Sequence, residues 1–308
     1  MNNVLLQISQ PEYHNHFVNY LRDKGDNRSA LAMGYHSSIG AYDVSPVAGN
    51  MLMKAIAKES DMYSLTTNIH AYSSSRIFAK DCDDLALFVE EGGVIPVYDG
   101  LDDFHVNTVD SHKLAVFVKL DADFVHDAAF SIEDYLTNRL GKNFGRAEDK
   151  AIISGNGEKE PIGILHDTKG DKVGKTTSEL TYDDVVDLFF SVKPEYRKHG
   201  TWIMNDETAL ALRKLKDADG NYIWNHNNDT ILGKPVQISE FMPSVGAGAK
   251  PIAFGDFSYY WFIRRSPIAI RTLTEKFAYH NQIGYLCFEF LDGKLIRPEA
   301  VKVLQIGV

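Results

Sequence analysis

Residues 131 to 157 place the tightest constraint on the fold, because they combine a long helical repeat with a clear start and a clear stop. The side chain of Ser131 is placed to accept a hydrogen bond from the free amide of Asp134, and Gly155 supplies a residue suited to a helix end. Apolar residues recur with a spacing of about 3.6 residues at Ile132, Tyr135, Leu136, Leu140, Phe144, Ala147, Ala151 and Ile152. This pattern predicts an amphipathic helix over 131–153 that buries one face against the rest of the chain.

The composition is that of an ordinary globular protein. The chain has 308 residues, of which 44% are hydrophobic, and this is enough for a large core. Its formal net charge is -10, from 32 basic and 42 acidic residues. Because binding to a phosphate backbone needs clustered Lys and Arg, we expect no sequence-specific binding of nucleic acid.

Cysteine content and hydropathy indicate where the protein is made. Cys82 and Cys287 are the only cysteines, too few for a disulfide scaffold or a four-thiolate zinc site. No apolar run approaches 18 residues, and the first residues lack the basic start and the apolar core of a signal peptide. We therefore expect a protein that is made and kept inside the cell, with no membrane partner.

The N-terminal third divides into three segments by composition. Residues 1–50 are polar, are interrupted by Gly and Pro, and contain one short helical pattern at 14–22, so they predict an extended arm. Residues 51–65 begin with a short helical pattern. Residues 66–120 are rich in β-formers and are broken by acidic and glycine-containing turns, which predicts a long β-hairpin.

Such a hairpin needs a partner surface. A two-stranded ribbon is marginally stable by itself and leaves unpaired edges. We therefore expect the hairpin to lie on another surface, and a neighbouring subunit is the natural candidate.

The second half of the chain contains further helix patterns and then a run of strand patterns, and we expect an α+β protein. Thr181 and Asp184 form a capping-box pattern, and Asn205 is a suitable cap for a third helix after a strand at 202–204. The last 51 residues show strand patterns at 259–263, 268–273, 284–290 and 300–304. Asp292-Gly293 between apolar runs predicts a tight hairpin turn.

No motif for catalysis or for metal binding has the required spacing. Gly155 and Gly157 follow a helix, whereas the glycines of a phosphate-binding loop follow a strand. The acidic run 217–221 has Asn228 at the twelfth position, where a calcium loop has Glu. His14 and His16 lack an evident third ligand. We expect a structural protein with no catalytic residue, cofactor or metal; the alternative from another class is a soluble α+β enzyme with a surface hairpin.

One family resemblance accounts for most of the chain. The helix ending Ala151-Ile-Ile-Ser-Gly-Asn-Gly157, with the following Pro161-Ile-Gly-Ile-Leu165, resembles the spine helix and turn of tailed-phage major capsid proteins with the Hong Kong 97 fold. Weaker resemblances follow in the same order as in that family, and they include 40–46, 88–91, 215–222 and 254–257. The resemblance implies an N-terminal arm at 1–50, a short helix leading into the extended loop at 51–65, an extended-loop β-hairpin at 66–120, a peripheral domain at 121–165 and 258–308, and an axial domain at 166–257.

The resemblance also implies a function. It predicts a major capsid protein that assembles as hexamers and pentamers into an icosahedral head around double-stranded DNA, which it encloses without sequence-specific binding. It implies a virion capsid assembled in the host cytoplasm, with a scaffolding protein, a portal and a maturation protease as partners. Because the family's N-terminal scaffolding segment is not evident, we expect a separate scaffolding protein or a chain that begins near the cleavage site. A bacterial encapsulating shell and a gene-transfer particle coat of the same fold are alternatives.

Two sets of residues are predicted from this resemblance. The assembly-interface candidates are Phe17, Arg22, Glu90, Glu91, Asp102, Asp103, Asn225 and Asn228. Some relatives form a Lys–Asn isopeptide bond assisted by Glu, for which the nearest residues are Lys80, Asn281 and Glu289. Phe288 stands where the family pattern would have that Glu, and a shift of one residue in a strand turns the side chain to the opposite face. The sequence therefore argues against a crosslink.

Overall fold

The computed structural model describes residues 10–25, 27–37, 40–71, 76–80, 88–90, 104–127, 129–216, 219, 221–224 and 229–307. In these ranges the helices are α1 (Pro11–Leu21), α2 (Pro46–Glu59), α3 (Ala122–His126), α4 (Ile132–Ser154), α5 (Tyr182–Ser191), α6 (Pro194–Arg197) and α7 (Asp206–Arg213). The strands are β1 (Tyr35–His36), β2 (Ala41–Asp43), β3 (Thr67–His70), β4 (Arg76–Lys80), β5 (Phe104–Thr108), β6 (His112–Asp121), β7 (Lys172–Thr177), β8 (Thr201–Met204), β9 (Thr230–Ile231), β10 (Lys234–Ile238), β11 (Ile252–Gly255), β12 (Tyr260–Arg264), β13 (Ala269–Leu273), β14 (Gln282–Leu295) and β15 (Val301–Ile306).

The long amphipathic helix is confirmed as α4, called the spine helix below. Ser131 accepts a hydrogen bond from the Asp134 amide, and the ring centroids of Phe130 and Tyr135 lie 5.5 Å apart. Its apolar face packs into a core shared with α1, α2, β6 and β14. The helix approaches α2 so closely that a Cβ at Gly141 would lie 2.5 Å from the Cβ of Ala55. Glycine in mid-helix is unfavourable by itself, and here the close helix contact explains it.

Strand β14 is the centre of the first sheet, which has the order β1-β2-β13-β14-β12-β3. On one edge β14 pairs antiparallel with β13 and then with β12, and on its other edge it pairs with β6. The spine helix lies on the face formed by alternate residues of β6, namely Leu114, Val116, Val118 and Leu120.

The predicted turn at Asp292-Gly293 is wrong, because both residues lie inside β14 and pair with β12. Asp292 is buried, and its carboxylate accepts hydrogen bonds from the amides of Asp110 and Gly293, both at 2.8 Å. Gly293 makes room for Tyr260, whose hydroxyl would lie 2.6 Å from a Cβ at that position. These long-range contacts, which a dipeptide rule does not include, keep the chain extended.

The second sheet has the order β7-β15-β11-β8-β10-β9. Its core contains Trp202 and Phe254, whose ring centroids are 4.2 Å apart. The capping box of α5, made by Thr181 and Asp184, and the Asn205 cap of α7 are formed as predicted. Strand β15 lies between β7 and β11. The last strand of the chain therefore joins the sheet built from 172–255, whereas the predicted division grouped 258–308 with the spine helix.

Candidate assembly surfaces

Strands β4 and β5 form a separate two-stranded ribbon. The paired ribbon is shorter than the predicted 66–120 segment, because β3 and β6 at its two ends are strands of the first sheet. Phe78 and Val106 are directly opposed across the ribbon, and 61% and 54% of their surfaces are exposed. Opposed apolar side chains stabilise a ribbon when they are covered. The ribbon thus has an apolar face that its own subunit leaves uncovered.

The predicted interface residues of the hairpin are only partly described. Glu90 is exposed and follows Phe88, which is fully exposed, and Val89, which is also exposed. Glu91, Asp102 and Asp103 lie outside the described residues, and so do Asn225 and Asn228. Their interface roles stay predictions.

The predicted arm contains a helix that packs on its own subunit. Tyr13, Phe17 and Leu21 of α1 are buried in the first core, and the Tyr13 hydroxyl donates to the Asp43 carbonyl at 2.9 Å. Arg22 donates to the carbonyls of Asp127 and Phe130 at 3.1 and 2.9 Å. The structure therefore uses Phe17 and Arg22 inside the subunit, and an interface role for either stays a prediction that would require α1 to leave this position. The apolar spacing of four residues between Tyr13, Phe17 and Leu21 was the sequence signal for this packing.

A buried ion triad connects the spine helix to the first sheet. Arg264 of β12 donates two hydrogen bonds to Glu148 of the spine helix, at 3.0 and 2.8 Å, and a third to Glu289 of β14, at 2.7 Å. All three side chains are buried. Burial raises the pKa of Glu148 to about 7, although the Arg264 charge opposes the shift, and burial also raises the pKa of Glu289.

Sequence reasoning missed this triad, although one signal was present. Glu148 lies four residues after Phe144, on the buried stripe of the spine helix, where a carboxylate needs a buried partner. Asp149 is also buried, and it accepts hydrogen bonds from the Ser60 hydroxyl and from the amides of Asp61 and Met62. These two acids fix the helix to the sheet on one side and to the turn after α2 on the other.

The crosslink candidates are not brought into a reactive arrangement in one subunit. Glu289 faces Arg264 in the interior, so its carboxylate is not available as a surface base. Asn281 is exposed, has φ of 52°, and donates to Asp123 at 3.3 Å. Lys80 ends β4, and its side chain lies outside the described atoms.

The described residues contain no cluster of three His, Cys, Asp or Glu side chains arranged to hold a metal ion. Of the helices in the described ranges, none has the length and the apolar character needed to cross a membrane.

The comparisons with known proteins agree with this architecture. Residues 40–306 match the model of the phage capsid family. A search of curated proteins gave no match. Among solved structures, the capsid of a native GTA particle computed with C5 symmetry is 27% identical, with a TM-score of 0.64 over 80% of this chain and 90% of that chain.

Phage structures give the same fold at lower identity. The protein of Microbacterium phage Oxtober96 is 17% identical with a TM-score of 0.58, over 80% of this chain and 91% of that chain. That of Mycobacterium phage Adephagia is 14% identical with a TM-score of 0.54, over 92% of this chain and 99% of that chain. The chain therefore belongs to the phage capsid family and is a major capsid protein with the Hong Kong 97 fold, which forms the shell of an icosahedral head.

Proposed function

We propose that this chain assembles as hexamers and pentamers around double-stranded DNA, with the hairpin of each subunit lying on its neighbour. The observation that supports this most directly is the exposed pair Phe78 and Val106 on a ribbon that is marginal by itself. The C5 symmetry used for the GTA capsid supports pentamers, since a five-fold axis relates five copies. Obligate contacts of this kind bury on the order of 2,000 Å² or more each.

The proposal includes partners and a route of assembly. A scaffolding protein, a portal and a maturation protease would act with the chain in the host cytoplasm, as the family resemblance implies. Catalysis has no place in this mechanism, which consists of association between rigid subunits whose small angular changes allow both ring sizes.

The DNA would be enclosed without being recognised. A net charge of -10 supports a wall that repels a phosphate backbone overall. We expect weak DNA binding by purified shells with little dependence on salt. A steep decrease of affinity with salt in a filter-binding assay would contradict this part of the proposal.

A gene-transfer particle coat is the second candidate, favoured by the 27% identity to the GTA capsid compared with 17% or less for the phage structures named above. Sequencing the nuclease-protected DNA of native particles separates the two. One repeated viral genome supports the phage head, whereas fragments drawn from the whole host genome support the second candidate. Protected enzyme cargo without DNA would instead support an encapsulating shell.

Negative-stain electron microscopy with light scattering on the purified chain tests the proposal itself. Closed shells or rings of five and six subunits are expected. The variant Phe78→Ser should lose these assemblies. Phe124→Ser should keep them, because it changes a residue of helix α3, outside the hairpin, with nearly equal exposure (59%). A stable monomer of 34.6 kDa, even when a scaffolding protein is co-expressed, would contradict the proposal.

A further inference from the structure

Strand β6 is an edge strand along its whole length in the part of the chain that the structure describes. It pairs with β14 on one side over all of its residues, and no other described strand pairs with it. Its odd-numbered residues are all exposed, namely Lys113, Ala115, Phe117, Lys119 and Asp121. A long and regular edge of this kind leaves a row of N–H and C=O groups that can pair with another strand.

The hydrogen bonds around β14 show which groups of β6 face the open edge. The Phe290 carbonyl accepts from the Arg265 amide at 2.8 Å, so even-numbered residues of β14 bond on the side away from β6. The Ala122 amide donates to the Asn281 carbonyl at 2.9 Å, which agrees with odd-numbered residues of β14 bonding toward β6. In an antiparallel ladder, alternate residues bond to opposite neighbours. Because odd residues of β14 oppose even residues of β6, the N–H and C=O groups of the odd-numbered residues of β6 point to the open edge.

This edge is complementary to itself in one antiparallel register. When Phe117 lies opposite the same residue of a second copy, Lys113 lies opposite Asp121 of that copy, and Ala115 lies opposite Lys119. Every outward-pointing N–H and C=O group of both strands then has a partner, and opposed side chains lie on the same face. A slip of two residues one way would oppose Lys113 and Lys119, and like charges in that position are destabilising. A slip the other way would shorten the overlap.

We propose that β6 pairs antiparallel with β6 of a second copy, across a two-fold axis that passes beside Phe117. Such a contact is isologous, because the same surface is used by both copies. The side chain at its centre supports it: Phe117 is 42% exposed, and its ring centroid lies 5.4 Å from that of Phe277, so pairing would cover an aromatic pair.

The contact has a distinct place in a shell. A two-fold axis would join a subunit of one ring to a subunit of the next, whereas the hairpin contact joins neighbours within a hexamer or a pentamer. This placement between rings rests on the proposed function, but the pairing itself requires only two copies.

Disulfide formation tests the proposed axis. Phe117→Cys, in a chain that also carries Cys82→Ser, supplies the thiol, while Cys287 is buried. Opposed residues of a hydrogen-bonded pair have Cα atoms about 5.5 Å apart, which a disulfide can span. Oxidation of the assembled protein with diamide should therefore give a disulfide-linked dimer on a non-reducing gel.

Two further variants test the register and keep Phe117 in place. Ala115→Cys alone should give no dimer, because the two copies of Ala115 would be four residues apart along the strands, about 13 Å. Mixed with Lys119→Cys chains, it should give the dimer. A dimer from Ala115→Cys alone, with none from the mixture, would overturn the register.

A proline separates pairing from folding. The Ala115 N–H points to the open edge, so Ala115→Pro removes no ladder hydrogen bond within the subunit and is tolerated on an edge strand. It should lower the Phe117→Cys dimer yield about tenfold, because one hydrogen bond is lost in each copy, and it should leave the midpoint of urea denaturation unchanged. Val116→Pro is the control, since its N–H faces β14, and it should destabilise the subunit. An undiminished dimer yield in Ala115→Pro would overturn the edge pairing.

The outcomes separate this inference from the proposed function. Closed shells that give no dimer in any of the cysteine variants would overturn the β6 contact and leave the shell proposal standing. A dimer without rings or shells would support the β6 contact and overturn the shell proposal. A chain that gives neither would overturn both.

Discussion

The spine helix and the hairpin differ in which side chains they bury. On the spine helix even the carboxylates Glu148 and Asp149 are buried, and each has hydrogen-bond partners in other parts of the subunit. On the hairpin, by contrast, the apolar residues Phe78 and Val106 are exposed. The buried side chains of the helix find their partners within one subunit, whereas the apolar side chains of the hairpin are left uncovered by it. This difference separates residues that fold the chain from residues that join one copy to the next.

The largest expected effect comes from removing the cation of the buried triad. Arg264→Met would leave Glu148 and Glu289 buried without their cation, and breaking a buried pair costs about 3–5 kcal/mol. We expect a loss of this size in the free energy of unfolding, measured by urea denaturation of the unassembled subunit. Arg265→Met is the matched control, because the Arg265 guanidinium makes an exposed hydrogen bond to the Asp110 carbonyl. Equal losses in the two variants would show that the triad does not hold the helix to the sheet.

The next effect tests the close contact between the spine helix and α2. Gly141→Ala would place a methyl group 2.5 Å from the Cβ of Ala55, and overpacking of this kind costs about 1–3 kcal/mol. Gly49→Ala in α2 meets no atom within 4 Å, so it should stabilise the subunit by about 0.5–1 kcal/mol. The two substitutions are chemically identical and should shift the midpoint of denaturation in opposite directions. A stabilising effect at Gly141 would contradict the packing described here.

A third effect depends on pH. Burial raises the pKa of Asp171 to about 7, although Lys250 opposes the shift. Its carboxylate oxygens lack hydrogen-bond partners, and Lys250 lies 3.5 Å away while it contacts the Leu165 carbonyl at 3.0 Å. Because the folded state binds this proton more tightly than the unfolded state, stability decreases as pH rises from about 4 through 7.

Replacing this carboxylate should remove its share of the pH dependence. We expect Asp171→Asn to reduce the stability difference between pH 5 and pH 8 by at least ~1.4 kcal/mol, which corresponds to a tenfold change in proton affinity. Thermal denaturation at the two pH values measures this. Asp167→Asn removes an exposed carboxylate that pairs with Lys250 at 3.2 Å and contributes only the last of the causes that act on the pKa of Asp171, so it should reduce the difference much less than Asp171→Asn does. An unchanged difference in Asp171→Asn would mean that Asp171 is ionised at both pH values.

The parts of the fold that follow local rules could be predicted from the sequence. The spine helix, its Ser131 cap and the Thr181–Asp184 capping box depend on residues within a few positions of one another, and all three are confirmed. The predicted turn at Asp292-Gly293 is wrong, because the local rule for this dipeptide does not include the long-range contacts with Asp110 and Tyr260.

The candidate surfaces were less predictable, because residues that are far apart in the sequence form them. Arg264 and Glu148 are separated by 116 positions, so no pattern in a short window joins them. A pocket of about 190 Å³ beside the spine helix is lined by five separate parts of the chain, at 112–114, 147–151, 159–161, 262 and 291. The hairpin was recognisable because its excess of acids and β-formers is local, but the burial of Phe17 required knowledge of what α1 packs against.

The smallest expected effect on subunit stability is at the hairpin, and it gives the sharpest test of the comparison. Phe78→Ser removes an apolar side chain that is mostly exposed, so the free energy of unfolding of the isolated subunit should change by no more than about 0.5 kcal/mol. Assembly into shells should nevertheless be lost, because the residue would be buried only between copies. For Arg264→Met we expect the reverse: the isolated subunit should be strongly destabilised, and any loss of assembly should follow from its unfolding. If Phe78→Ser destabilised the isolated subunit as strongly as Gly141→Ala, the ribbon would belong to the subunit's own core and the distinction between folding residues and assembly residues would fail there.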